Sequence, residues 1–237
     1  MSSLQDVLTG YSLRARLYPA LLVALPVVAL ILITWDPQNL EAFWPLFASL
    51  GVPFLTSSVV RSRGKKLERS LLVRWERFPT TRLLRADDSG NPTIRERRRE
   101  QLTALTGQPL PSEDEELKDS PSADQRYEAA VRTLIARTHG GQQDHYLLGE
   151  ENASYGFRRN LLALKPVALI VLVVCLGVDG MLVPNANGSL RPLAALGLHL
   201  VLAGVWLLVI RPPWVLEAAE DYAKSLYDGL ERLSQRN

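Results

Sequence analysis

An aspartate and a histidine stand in stretches where charge is costly, and clustered arginines stand where it is not; between them they carry the chemistry open to this chain. His199 lies eight residues past Arg191, inside a long apolar run, and Asp179 lies 20 residues past Arg159, near the end of another. At ~1.5 Å per helical residue, that separation sets Asp179 about 30 Å from Arg159, at the far interface of a bilayer. Ionisable groups inside apolar runs mark ion or proton pathways more often than chance. His199 reads either as such a group or as a neutral imidazole bonded to a carbonyl or hydroxyl of a neighbouring helix. Asp179 reads either as an ordinary helix-end acid beside Gly180 or as part of an acidic ring at a pore mouth, which needs several chains. Together with Pro53 they are the pore or gating candidates. No acid or nucleophile partners His199 at its depth, so an intramembrane enzyme is the weakest of the readings.

Other constellations are thin. His139 and His145 stand six apart across Gly140-Gly141, which is not a helical ligand spacing. The single Cys175 sits in an apolar run, excluding a disulfide framework and a cysteine-based zinc site. There is no nucleophile elbow and no Gly-rich phosphate loop. The sequence therefore predicts no enzyme, no metal centre and no cofactor.

The arginines are segregated. Residues 61–99 hold 13 basic and 5 acidic side chains, net +8, whereas residues 100–128 hold 2 basic and 8 acidic, net −6. The cluster from Arg61 to Lys66 suits anionic lipid. The run Arg95 to Arg99 could pair with Glu113 to Glu116, within or between protomers. Alternatively, the faces around Arg69, Arg74, Arg95, Arg98 and Arg99 bind a phosphate-bearing ligand, a nucleotide or short oligonucleotide. Trp75, Phe78, Tyr127, Tyr146, Tyr155 and Phe157 could then supply stacking surfaces.

The elements that must position these residues follow from hydropathy. A mean hydropathy of +0.01, 22% charged residues and a net charge of +2 describe an average chain only because two unlike kinds of segment cancel. Uncharged runs cover 17–35, 42–60, 166–178 (extending outward to 183) and 192–210. About 20 apolar residues cover a bilayer core, so four transmembrane helices are expected. The first run is too long for a signal h-region and lacks a cleavage site. Basic residues crowd the ends at Arg14, Arg16, Arg61, Arg63, Arg158, Arg159 and Arg211, while the short loops hold little beyond Asp36, Glu41 and Arg191. Both termini and the central block are therefore expected on the cytoplasmic side. The organisation predicted is an all-α membrane protein: an N-terminal segment (1–16), a transmembrane hairpin (17–60), a cytoplasmic helical domain (61–160), a second hairpin (161–210) and a cytoplasmic C-terminal helix (211–237).

Within the membrane runs, Pro19, Pro26, Pro45 and Pro53 predict kinks, and Gly197 with Gly204 predicts a seam for a close helix. Lys165 is expected to reach back toward Arg158 and Arg159. In the central block, helices are expected over 64–78, 93–106, 123–138 and 150–164, the last leading into the third span. Capping boxes are expected at Ser112/Glu115 and Ser122/Gln125, and a short extended piece over 80–85. In the tail, Leu216, Ala219, Ala223, Leu226, Leu230 and Leu233 fall at heptad spacing. That seam packs either on the protomer's own helices or between subunits.

This layout of hairpin, helical block, hairpin and cytoplasmic helix resembles the small four-helix membrane effectors of bacterial antiphage systems. The runs Glu151-Asn152-Ala153-Ser154-Tyr155-Gly156-Phe157-Arg158-Arg159-Asn160 and Phe78-Pro79-Thr80-Thr81-Arg82-Leu83-Leu84-Arg85 look like bacterial proteins of this kind. The nearest characterised type is the Hailong membrane channel, an oligomeric pore gated by oligodeoxyadenylate. The resemblance implies a homo-oligomeric, ligand-controlled channel of the bacterial inner membrane that depolarises it, served by a cytosolic nucleotidyltransferase. It carries over no individual residue. A reading of another class is a non-conducting membrane scaffold that recruits a cytosolic partner.

Overall fold

The computed structural model describes residues 13–34, 52–138, 146–185 and 187–235. Residues 1–12, the run 42–51 with Pro45 and Gly51, the loop acids Asp36 and Glu41, and the pair His139 and His145 lie outside the described residues. Among the described residues every regular element is helical. A π-helical turn, Leu13–Leu17, leads into α1 (Tyr18–Thr34), followed by α2 (Val52–Trp75), the single turn α3 (Pro79–Arg82), α4 (Pro92–Thr106), α5 (Glu113–Lys118) and α6 (Ser120–Thr138). Then come α7 (Tyr146–Leu182), a 3-10 turn (Val183–Asn185), α8 (Arg191–Gly204), a π-helical turn (Val205–Val209) and α9 (Pro212–Ser234). The chain divides into an apolar unit, from Met1–Arg69 and Ala153–Val215, and a polar unit, from Ser70–Asn152 and Leu216–Asn237.

Three of the described helical stretches are long and apolar enough to cross a membrane: Leu13–Leu32, Tyr146–Asn185 and Arg191–Val209. The second expected span is described only from Val52 onward, with Pro53 the second residue of α2. Inside the apolar unit, Val60 of α2 packs with Leu161, Leu164, Ala168 and Leu172 of α7 and with Trp206 and Ile210. Its outer surface is apolar as well: Ile170, Val173 and Val174 of α7 and Leu200 and Val201 of α8 are exposed. Contiguous exposed apolar surface of this kind is what lipid covers. Several details differ from the sequence expectation. Lys165 finds its partners on the backbone that follows α8. Its ammonium donates to the carbonyls of Leu207 (3.3 Å) and Ile210 (2.8 Å), which the end of the π-helical turn leaves open. Among the described residues nothing lies within 4 Å of a side chain added at Gly197 or Gly204, so none of them occupies the expected seam. The close approach lies at Gly64, where an added Cβ would fall 1.9 Å from Oδ1 of Asn160.

The polar unit has its own core, with Leu84, Leu102, Tyr127, Leu134, Leu226 and Leu230 fully or almost fully buried. Each such leucine contributes roughly 1.5–3 kcal/mol of transfer free energy. The heptad seam of α9 is consumed here: Ala219, Ala223, Leu226 and Leu230 are buried within the protomer. Asn91 caps α4 by accepting from the Thr93 amide, and Gly107 ends it at φ 68°, the left-handed value glycine tolerates. At α5 the Ser112/Glu115 capping box forms in full. The Ser112 amide and then the Arg126 guanidinium hold the Glu115 carboxyl below its ordinary range. The box expected at Ser122 is replaced by Asp119, whose carboxylate accepts from the Ser122 amide at 3.1 Å and starts the helix earlier. Residues 79–82 form a helical turn and not an extended piece, because Pro79 takes the first helical position, where its missing N–H is free of cost. The preceding break is at Glu76, whose φ of 62° ends α2 at Trp75, three residues short of Phe78.

Candidate functional site

In the apolar unit, α7 and α8 are joined through the 3-10 turn and a turn at Asn187 (φ 46°) and Gly188 (φ 85°). Asp179 lies three residues before the end of α7, and His199 eight residues after the start of α8. Both side chains are fully buried. Nδ1 of His199 lies 2.5 Å from Oδ2 of Asp179, and Nε2 lies 3.0 Å from the carbonyl oxygen of Pro26 in α1. Three helices are thus tied at one imidazole. The sequence set the two residues at different depths and left His199 without an acid; the structure brings them into contact. Counting from Arg159 measures the full span, whereas depth here is set by the turn, and Asp179 lies one helical turn inside it. Oδ1 of Asp179 is buried with no hydrogen-bond partner. Cys175, one turn earlier on α7, is also buried.

A second polar knot in this unit binds α2 to α7. Arg159 pairs with Glu68 at 2.6 Å, and Asn160, 1% exposed, donates from Nδ2 to the carbonyl of Ala15 at 2.5 Å. The amide oxygen of Asn160 faces Gly64.

In the polar unit, the candidate arginines divide by role. Arg99 is turned into the core. Its guanidinium donates to the carbonyl of Leu84 (3.0 Å), to Glu116 (3.1 Å), to the hydroxyl of Tyr127 (2.5 Å) and to the carbonyl of Pro111. Glu116 also lies 3.4 Å from Arg85, which pairs in turn with Asp124 at 3.2 Å. The expected pairing of the Arg95–Arg99 run with the Glu113–Glu116 run is therefore present within the protomer at Arg99 and Glu116. Arg98 lies over the Tyr227 ring, 5.0 Å from its centroid, and Arg95 donates to the carbonyl of Asp88 at 3.3 Å. Both remain half-buried at the surface of α4, and Arg74 is exposed on α2. Arg69 is exposed too but belongs to the apolar unit, so the five arginines do not form one set within either unit. Of the stacking candidates, Tyr127 is consumed by the core, whereas Tyr146 is 68% exposed. The part played by Arg85, and the choice of Glu116 from its run, escaped the sequence reading because nothing in a charge count says which residues turn inward.

In the apolar unit, the contact between His199 and Asp179 can hold a proton. Among the described residues no group of three or more His, Cys, Asp or Glu side chains could hold a metal ion. Compared with known proteins, the chain matches no family model, no curated sequence and no solved structure.

Proposed function

We propose that this chain is a multi-pass protein of the bacterial inner membrane, an oligomeric effector whose polar unit receives an anionic signal and whose apolar unit answers by passing ions. The observation that carries the reading is the fully buried His199–Asp179–Pro26 link among helices whose outward faces are apolar. Ionisable groups inside membrane spans are costly, and they commonly serve ion or proton routes. One chain supplies too few helices to surround a wide pore, so conduction requires several copies. The basic residues beside the spans support a cytoplasmic side for the polar unit and both termini. Arg74, Arg95 and Arg98 suit a nucleotide or oligonucleotide with phosphates spread along α4 and its surroundings. Arg99 drops out of that site because Glu116 already answers its charge.

Single-channel recording on the purified full chain in planar bilayers tests this directly, with adenine oligonucleotides titrated from the polar side. Discrete conductance steps that respond to the oligonucleotide are expected. Reversing Arg95 and Arg98 to glutamate should remove the response and leave insertion unchanged. A silent bilayer would instead support the scaffold reading. The exposed Val73 (83%) and Leu117 (86%) of the polar unit favour that alternative, since each offers apolar surface to a cytosolic partner.

A further inference from the structure

We infer that His199 and Asp179 form a proton-binding site that holds one exchangeable proton in the interior of the apolar unit. The argument starts from donors and acceptors. The Pro26 carbonyl can only accept, so Nε2 of His199 must carry a hydrogen. Nδ1 faces a carboxyl oxygen at 2.5 Å, so a proton must lie between those two atoms as well. It sits either on nitrogen, giving an imidazolium facing a carboxylate, or on oxygen, giving a neutral imidazole facing a carboxylic acid. Both forms are net neutral and hold the same number of protons. Removing that one proton leaves the Nδ1 lone pair against an anionic oxygen, with a net negative charge in a site of zero exposure.

The surroundings offer that charge little relief. α1 contains no Asp, Glu, Lys, Arg or His, and its one titratable side chain, Tyr18, is two helical turns from Pro26. On α7 the nearest ionisable neighbour is Cys175, a turn away, and on α8 it is Arg191, two turns away toward the connecting turn. The described start of α2, residues 52–60, contains no ionisable side chain. Independently, Oδ1 of Asp179 meets no donor. An ionised carboxylate therefore lacks the compensation that buried anions require, and the shared proton belongs to the pair rather than to either side chain alone. The proposal does not depend on conduction and stands if the protein proves to be a scaffold.

The test uses the full-length protein in lipid nanodiscs with isotope-labelled histidine and the substitutions His139→Gln and His145→Gln, so that His199 is the only imidazole. Its ring nitrogens are followed by NMR as pH is raised. In the parent, both nitrogens should read as hydrogen-bonded to a proton at low pH, and Nδ1 should lose its proton in a single step. Asp179→Asn is the matching variant: its amide can donate to Nδ1 of a neutral ring while Nε2 still donates to Pro26. It should fold with its helix content retained and show only the Nε2–H ring throughout. A parent ring that does not change while the protein stays folded, or that titrates alike in Asp179→Asn, overturns the assignment. So does a ring protonated on Nδ1 alone.

Discussion

Glu116 is the residue whose removal the polar unit should tolerate least. Its carboxylate accepts from the Ala86 amide at 3.0 Å, from Arg99 at 3.1 Å and from the Tyr127 hydroxyl, and Arg85 lies 3.4 Å away. The Glu116 and Arg85 side chains are 3% and 5% exposed, so neither relies on water to offset its charge. Deleting one partner of a buried ion pair leaves the other uncompensated, which costs about 3–5 kcal/mol. Glu116→Ala should therefore destabilise the polar unit by that amount in denaturant titrations of the full chain. Leu117→Ala, at 86% exposure, should change stability by less than about 0.5 kcal/mol. Composition alone argues the reverse, since it would bury the leucine and expose the glutamate. The run from Glu113 to Glu116 does not reveal which carboxylate turns inward, because that choice is made by two arginines far off in sequence. His199 and Asp179 show the same limit: each was legible as a costly group, but the contact between them depends on where the chain turns.

At the scale of elements, α2 and α7 meet closely at Gly64 and Asn160. The sequence expected α2 and α7 each to run on between the polar block and an apolar stretch, because hydrophobic periodicity is a local signal, and α7 continues through Pro166. It could not locate their closest approach. Gly64 reads as an indifferent residue between Arg63 and Lys65, whereas the glycines flagged on α8 have no described residue within 4 Å of an added side chain. The structure gives Gly64 a reason: Asn160, fixed by its bond to the Ala15 carbonyl, occupies the volume a side chain would need. Gly64→Ala should push Asn160 off that bond and cost about 1–3 kcal/mol, in the range of overpacked cores. The double variant Gly64→Ala/Asn160→Ala should recover much of the loss, since it removes the obstructing amide. Thermal unfolding in detergent measures both. An additive double variant would mean that the two residues do not share the space.

For the whole molecule, the division into an apolar and a polar unit was plain in the sequence, because hydropathy and charge segregate along the chain. The chemistry that stabilises each unit was not, and it differs between them. The polar unit leans on buried phenols. The Tyr227 hydroxyl donates to the Thr80 carbonyl at 2.5 Å, and the Tyr127 hydroxyl donates to Glu116. Burial, reinforced at Tyr127 by its bond to Glu116, holds both phenols protonated well above their ordinary range. A phenol whose folded pKa lies above its unfolded value contributes stability that is complete below the ordinary tyrosine pKa of about 10. As pH rises from there toward the folded value, the unfolded chain ionises first and that stability is lost. The polar unit should accordingly hold its denaturation midpoint up to about pH 10 and then weaken steeply. Tyr227→Phe keeps the ring under Arg98 but removes the ionisable group. It should cost about 1 kcal/mol at neutral pH, for the unpaired Thr80 carbonyl, and flatten the alkaline limb. If the limb keeps its slope in Tyr227→Phe, the alkaline sensitivity arises elsewhere, and Tyr127→Phe becomes the variant that must remove it.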